Sequence, residues 1–220
     1  MCIYIRERHS ETCGLKINAS KTNVMSVNGT GSVYIGPNTE IKRVEKFKYL
    51  GSYVCEGDPS SCEVRTRMAI AKSTMSRMNN VWRSSKIGLN LKKRLVKSLV
   101  WSVALYGCES WTLRLVDERM IESTEMWCWR RMLGIRWTDK RTNEWVRERV
   151  GVKSENGLLR TVMNRKVAKY GHWKRRPDSL PMLVIESDIP GNCKRGRPKL
   201  SWMDNICSWT IGGLGVEQCA

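Results

Sequence analysis

The residue pattern predicts an α+β chain, mostly α, and three observations carry that prediction. Residues 14–54 break into short β-like pieces separated by turn residues. Residues 62–83 and 91–106 repeat apolar side chains at helical spacing, and further amphipathic stretches follow them. With 220 residues and 41% hydrophobic content, the chain can bury a sizeable core, as one large domain or two small ones.

The β-like part is punctuated in order. Val24 to Asn28 and Val33 to Ile35 flank Asn28-Gly29-Thr30-Gly31, a hairpin connection by composition. Gly36-Pro37-Asn38 marks a second turn, and Ile41 to Val44 and Phe47 to Val54 read as further strands. An antiparallel sheet this small has no partner sheet, so it reads as the edge of a larger unit.

Helical spacing then takes over. Val64, Met68, Ala71, Met75, Met78 and Trp82 form a seam, with Arg65, Arg67, Lys72 and Arg77 on the other faces. A methionine stripe at this spacing is packing rather than a cofactor site. Gly88-Leu89-Asn90 turns the chain into Leu91 to Trp111, its longest well-patterned stretch, and the two helices are expected to pack antiparallel. There Leu91, Leu95, Val96, Leu99, Val103 and Tyr106 predict a core-facing stripe, opposite Lys93, Arg94 and Lys97, with burial all round from Val100 and a stop at Gly107. Asp117 to Ile135 predicts a third helix, with Ile121, Cys128, Met132 and Ile135 on one side. Thr142 caps a short helix carrying Trp145, Val146 and Val150. Leu159, Met163, Val167 and Tyr170 give another, ending near Gly171-His172, and Pro198 suits the first turn of a last helix with Trp202, Ile206 and Trp209 on one face.

Charge narrows the partner. The chain carries 39 Lys+Arg against 21 Asp+Glu, a formal net charge of +18. By segment the difference is 8 − 6 = +2 for residues 1–60, 12 − 6 = +6 for 61–125 and 19 − 9 = +10 for 126–220. Such an excess points to a polyanion, nucleic acid before an anionic membrane surface. No apolar run approaches a membrane span, and Met1 to Gly14 lacks a signal-peptide apolar region, so no membrane partner and an intracellular location, nuclear or cytoplasmic, are expected. The nine cysteines are then expected to be reduced thiols. No CxxC pair exists, and a zinc site would have to gather ligands such as Cys108, Cys128, His172 and Cys193 from afar. With two histidines, a nucleophilic Ser/His or Cys/His centre has little to draw on.

Several strings are familiar. Gly14-Leu15-Lys16-Ile17-Asn18, Lys21-Thr22-Asn23-Val24-Met25 and Phe47-Lys48-Tyr49-Leu50-Gly51 follow one another as in the last palm strands of a polymerase. Ala71-Lys72-Ser73-Thr74-Met75 and Ser102-Val103-Ala104-Leu105-Tyr106-Gly107-Cys108-Glu109-Ser110-Trp111 come next. Trp137-Thr138-Asp139 with Thr142-Asn143-Glu144, Gly171-His172-Trp173-Lys174-Arg175, and Arg195-Gly196-Arg197-Pro198 ending at Trp202 complete the set. In this order they resemble the C-terminal part of the reverse transcriptases of non-LTR retrotransposons, LINE elements of RTE-like type, over nearly the whole chain. Asn23 replaces the second lysine of that family's K-T-K string, which weakens any phosphate contact made there. The resemblance implies a palm end with a primer-grip-like segment over 1–60, a helical thumb over 61–125 and a basic helical region over 126–220.

It also implies roles. Lys21 would lie near the incoming nucleotide's phosphates, and Phe47, Tyr49, Leu50 and Gly51 would form the turn that positions the primer end. Tyr49 reads equally well as a core residue of a half-buried strand. Lys93, Arg94 and Lys97 would face the backbone of RNA template and DNA primer, against the plain alternative of a solvated helix face. Apart from the resemblance, Trp129 with Arg130 and Arg131 could stack on single-stranded bases, although core packing explains most of the ten tryptophans better. His172, Lys174, Arg175 and Arg176 would touch phosphates, although His172 could simply close its helix. Lys194, Arg195, Arg197 and Lys199 resemble the core of AT-hook peptides, which enter the minor groove of A·T-rich DNA; a helix start with general phosphate contact to target DNA is the favoured reading. The family's two Mg²⁺ ions are held by a carboxylate pair in an F/Y-x-D-D strand, which this sequence lacks. No catalytic residue, metal or cofactor is therefore assigned here, and Mg²⁺ belongs to the parent polymerase. The rival functions are a free-standing nucleic-acid-binding protein derived from a retroelement, and a relic or interaction protein.

Overall fold

A computed structural model describes residues 12–25, 33–35, 39–55, 58–186 and 200–211. The fold is α+β and mostly α, as the pattern predicts. It divides into two compact units, 1–63 and 64–220.

The first unit holds three two-stranded ladders. Strands β1 (Asn23–Val24) and β4 (Lys42–Arg43) pair in parallel, whereas β2 (Tyr34–Ile35) and β3 (Thr39–Glu40) pair antiparallel. This corrects two expectations. The sheet is not wholly antiparallel, and Val24 pairs with Arg43 rather than across a hairpin to residues 33–35. The connection at Asn28 to Gly31 lies outside the described residues. The run Phe47 to Val54 is a hairpin, not one strand: β5 (Lys46–Tyr49) and β6 (Ser52–Cys55) meet at Tyr49↔Ser52. Leu50 (φ 48°) and Gly51 (φ 86°) form its two-residue turn, the double left-handed geometry that suits the right-handed twist of paired strands. Alternation in the sequence conceals such a turn when its first residue is leucine.

Ile41 is the one strand-region apolar side chain that is buried among the described residues of this unit, while Leu15, Tyr34, Tyr49 and Leu50 are exposed. Cys55 and Cys62 are joined as a disulfide, against the expectation of nine reduced thiols. The chain returns on itself between them, bringing their Cα atoms to 6.6 Å, inside the usual range for a bridge.

The second unit is helical and has one continuous core. Helix α1 (Pro59–Arg77), most of which lies in this unit, starts behind Asp58, whose carboxylate accepts from the Ser61 amide at 3.2 Å. A short α2 (Asn79–Arg83) follows. The methionine seam behaves as predicted: Val64, Met68, Ala71, Met75 and Trp82 are buried, and Met78 packs against them. Trp82 donates from Nε1 to the Met75 carbonyl at 2.7 Å.

The central stretch departs from prediction. Helix α3 (Leu89–Leu95) passes through a π-helical turn, Val96–Val100, into α4 (Trp101–Ala104), and Gly107 at φ 68° ends it. A π turn inserts a residue and swings later side chains round by roughly 100°. The buried line is therefore Val96, Val100, Trp101, Ala104, Leu105 and Cys108, while Leu91, Leu99 and Tyr106 of the expected core stripe face solvent. Tyr106 is not idle, since the Arg67 guanidinium lies 4.3 Å from its ring centre.

Helix α5 (Leu115–Leu133) ends at Gly134 (φ 70°) and buries Ile121, Cys128, Trp129 and Met132. Residue 125, the expected boundary between thumb and basic region, falls inside this helix. Thr142 caps α6 (Asn143–Val150), its hydroxyl accepting from the Trp145 amide at 3.3 Å. Helix α7 (Leu158–Lys174) runs through Gly171-His172 instead of ending there. Its buried line is Leu158, Val162 and Lys166, so the predicted Leu159, Met163, Val167 and Tyr170 form a half-buried shoulder. Helices α8 (Leu180–Glu186) and α9 (Trp202–Ile211) complete the unit. The start of α9 is a reciprocal capping box, Ser201 N–H donating to Asp204 and Asp204 N–H to the Ser201 hydroxyl, while Pro198, expected in a first turn, lies outside the described residues.

Candidate nucleic-acid interface

The cationic residues fall into two kinds, those that hold the fold and those left exposed. Lys92 donates to the Trp82 carbonyl at 2.7 Å and Lys93 to the Val150 carbonyl at 2.9 Å. Each ammonium thus sits on carbonyls at the C-terminal end of a helix, α2 or α6, where the dipole favours a cation. Lys93, taken from the sequence as a backbone contact, is committed to this cap. Arg94 and Lys97 are exposed, Lys97 with its Nζ 5.3 Å from the Trp101 ring centre.

Helices α5 and α6 enclose a hollow of about 270 Å³ with Arg119, Arg130 and Arg147 on its walls and Glu122 as the lone acid. Arg119 and Arg130 are eleven residues apart, three helical turns, which sets them along one face of α5. Arg130 also donates to the Arg141 carbonyl at 3.1 Å, tying the loop before α6 to the rim. A second hollow of about 280 Å³ shares Arg147 and Glu122 and adds Lys153 and Arg160, balanced by Glu155 and Glu125. Glu125 is turned inward: it accepts from Trp129 Nε1 at 3.0 Å and from the Leu158 amide at 2.8 Å. The first hollow is thus the more cationic.

The other nominated residues are scattered. Arg131 turns from that hollow and stacks 5.2 Å above Trp127. Trp129 is fully buried, 5.8 Å from Trp101, so it cannot stack on bases. Its place was visible in the sequence, eight residues after Ile121 and one turn after Glu125. His172, Lys174, Arg175 and Arg176 are exposed together at the end of α7. In the first unit Lys21 is exposed in a turn closed on Asn18, and Phe47, Tyr49 and Leu50 are exposed around the hairpin turn at Gly51, so Tyr49 is not a core residue. Lys194, Arg195, Arg197 and Lys199 lie outside the described residues. Arg119, Arg147, Lys153 and Arg160 were not singled out, because single arginines spaced along three helices and a lysine in the loop between two of them have no motif.

One buried charge was also missed. Lys166 is completely enclosed, donating to the Trp111 carbonyl at 2.8 Å and to Asn205 Oδ1 at 2.9 Å, with the Trp202 and Trp209 rings 4.6 and 5.2 Å away. Burial pushes its amine down from 10.5 to about 7. The unfolded chain then binds more protons than the folded one above about pH 7, so this group adds stability as pH rises toward 10 and contributes no slope below 7. The indole faces and two oxygens favour the ammonium and oppose desolvation, which keeps the slope below the limit of about 1.4 kcal/mol per pH unit. Thermal unfolding between pH 7 and 8.5 is expected to rise more steeply for the natural chain than for Lys166→Met. Equal slopes would show that Lys166 keeps its charge when buried.

Burial pushes the Cys108 and Cys128 thiols up to about 12, favouring the protonated form that does not bind zinc. Among the described residues no group of three His, Cys, Asp or Glu could hold a metal ion, and no helix is long and apolar enough to cross a membrane.

Fold and surface together define a mostly helical α+β protein with an arginine-walled hollow. The chain is similar to a Caenorhabditis elegans protein named as transposon-derived, 28% identical over 201 residues, which cover 88% of this chain and 72% of the other. That similarity is consistent with a retroelement origin. No family model and no solved structure matches the chain.

Proposed function

We propose that the chain is the non-catalytic C-terminal portion of a retrotransposon RNA-directed DNA polymerase, gripping RNA template, DNA primer and target DNA through basic helices. The observation that carries the reading is the hollow between α5 and α6, where three arginines face one glutamate. Phosphates are positioned by such guanidinium groups without regard to sequence. The ordered strings quoted above, the transposon-derived relative and the +10 excess of residues 126–220 support the same reading. Arg94, Lys97 and the cluster from His172 to Arg176 extend the grip, and the exposed Tyr49-Leu50-Gly51 turn would position a primer end.

The full chain is expected to bind an RNA–DNA hybrid and a DNA duplex with similar affinity, and log K is expected to fall linearly with log salt with a slope of about −3 or steeper. Titrations from 50 to 300 mM salt test this. Absent binding at low salt, or affinity indifferent to salt, would overturn the proposal. A free-standing binder derived from such an element is the second reading, favoured because one core runs from Val64 to Val162 and takes in Trp209. A strong preference for one DNA sequence over others would select it.

A further inference from the structure

Ten tryptophans are present, and nine are buried, half-buried or covered in part by a neighbouring guanidinium; Trp137 is 90% exposed. It stands on a 3₁₀ turn, Trp137–Asp139, between α5 and α6. This turn is held, not loose. Asp139 accepts from the Arg136 amide at 2.8 Å, Lys140 in the left-handed region (φ 44°) ends it, and Arg130 grips the following Arg141 carbonyl. The ring is therefore presented outward at a fixed place. The stretch that carries it is cationic: from 130 to 141 there are five Lys+Arg, Arg130, Arg131, Arg136, Lys140 and Arg141, against Asp139 alone, 5 − 1 = +4. Arg141 lies 4.8 Å from the half-exposed Trp145 ring, a second aromatic on the same stretch.

We propose that this turn is a stacking platform for single-stranded nucleic acid, with an unpaired base on Trp137 and the strand's phosphates led toward Arg130 and the hollow beside it. A neutral partner would gain nothing from the surrounding cations, and a duplex keeps its base faces covered by their neighbours. A single strand offers both a bare base face and a phosphate chain. The inference rests on the gripping function proposed above and adds to it the strand state recognised and the residue that recognises it.

The test compares the full chain with Trp137→Ala and Trp137→Phe on a fifteen-residue oligothymidylate, its oligouridylate counterpart and a DNA duplex. Trp137→Ala is expected to weaken single-strand binding at least about fivefold, leave duplex binding within about twofold and leave thermal unfolding unchanged; Trp137→Phe is expected to restore most of the loss. Tryptophan quenching by the oligothymidylate should shrink in Trp137→Ala. An unchanged single-strand affinity, or an equal loss on the duplex, overturns the platform and leaves the gripping function standing. If the natural chain binds none of the three probes, both fall. Loss on one single strand alone assigns the platform to that kind of strand.

Discussion

Replacing Arg119, Arg130 and Arg147 together by glutamine is expected to weaken binding to any duplex on the order of a hundredfold at 0.1 M salt. Three guanidinium groups that each neutralise a phosphate contribute about 0.9 each to the salt slope on duplex DNA. Their loss should flatten the slope by nearly three, uniformly across sequences. Glutamine keeps much of the stem that packs along the helices, so the fold is spared. Arg130 also bonds the Arg141 carbonyl, and thermal unfolding of the triple variant separates a loosened loop from a lost contact. The contrast is Lys93→Gln. Because Lys93 caps α6 through the Val150 carbonyl, its loss should cost about 1 kcal/mol of stability and leave the salt slope unmoved. A triple variant that binds normally would remove the hollow from the interface.

Asn205→Leu, which keeps the volume, should cost about 3 kcal/mol of stability. Asn205 makes three buried hydrogen bonds from α9: its Oδ1 accepts from the Leu113 amide at 2.8 Å and from Lys166 at 2.9 Å, and its Nδ2 donates to the Leu113 carbonyl at 2.9 Å. Leucine leaves a backbone amide and a lysine amine each short of a buried partner, a cost of about 1–3 kcal/mol apiece. For a chain of this length that lowers the unfolding midpoint by about 6–12 °C. Trp202 and Trp209, which cover Lys166 from the same helix, should become more exposed in emission spectra. A midpoint within a degree of the natural chain would mean α9 is held by its apolar contacts alone.

The legible parts of the fold were those where one rule acts over a short span. The seam from Val64 to Trp82 repeats at helical spacing and is buried as expected, apart from the partial exposure of Met78. Thr142 and Gly107 were readable because a cap or a left-handed stop needs one residue type at one place. The π turn was not, since Val96 to Val100 carries no residue that forbids an ordinary helix. The seam of α7 was displaced by one residue because a lysine, scored as polar, occupies its buried line. The interface was half legible. Charge density singled out the latter two thirds of the chain, which hold the arginine-walled hollow, but neighbouring arginines made Trp129 look like a stacking residue when Ile121 and Met132 already placed it in the core. Trp137, with no periodicity around it, went unnoticed.

The π turn between Leu95 and Trp101 makes the central rod two cogs set out of phase on one shaft. Lysines on the first cog, Lys92 and Lys93, mesh with the ends of two neighbouring helices, while the second engages the core with Trp101 and Ala104. An uninterrupted α-helix could engage one set only by disengaging the other. That rotation of roughly 100° is thus the gear ratio that lets a single segment serve both sets of neighbours, and losing a residue there would unseat one of them.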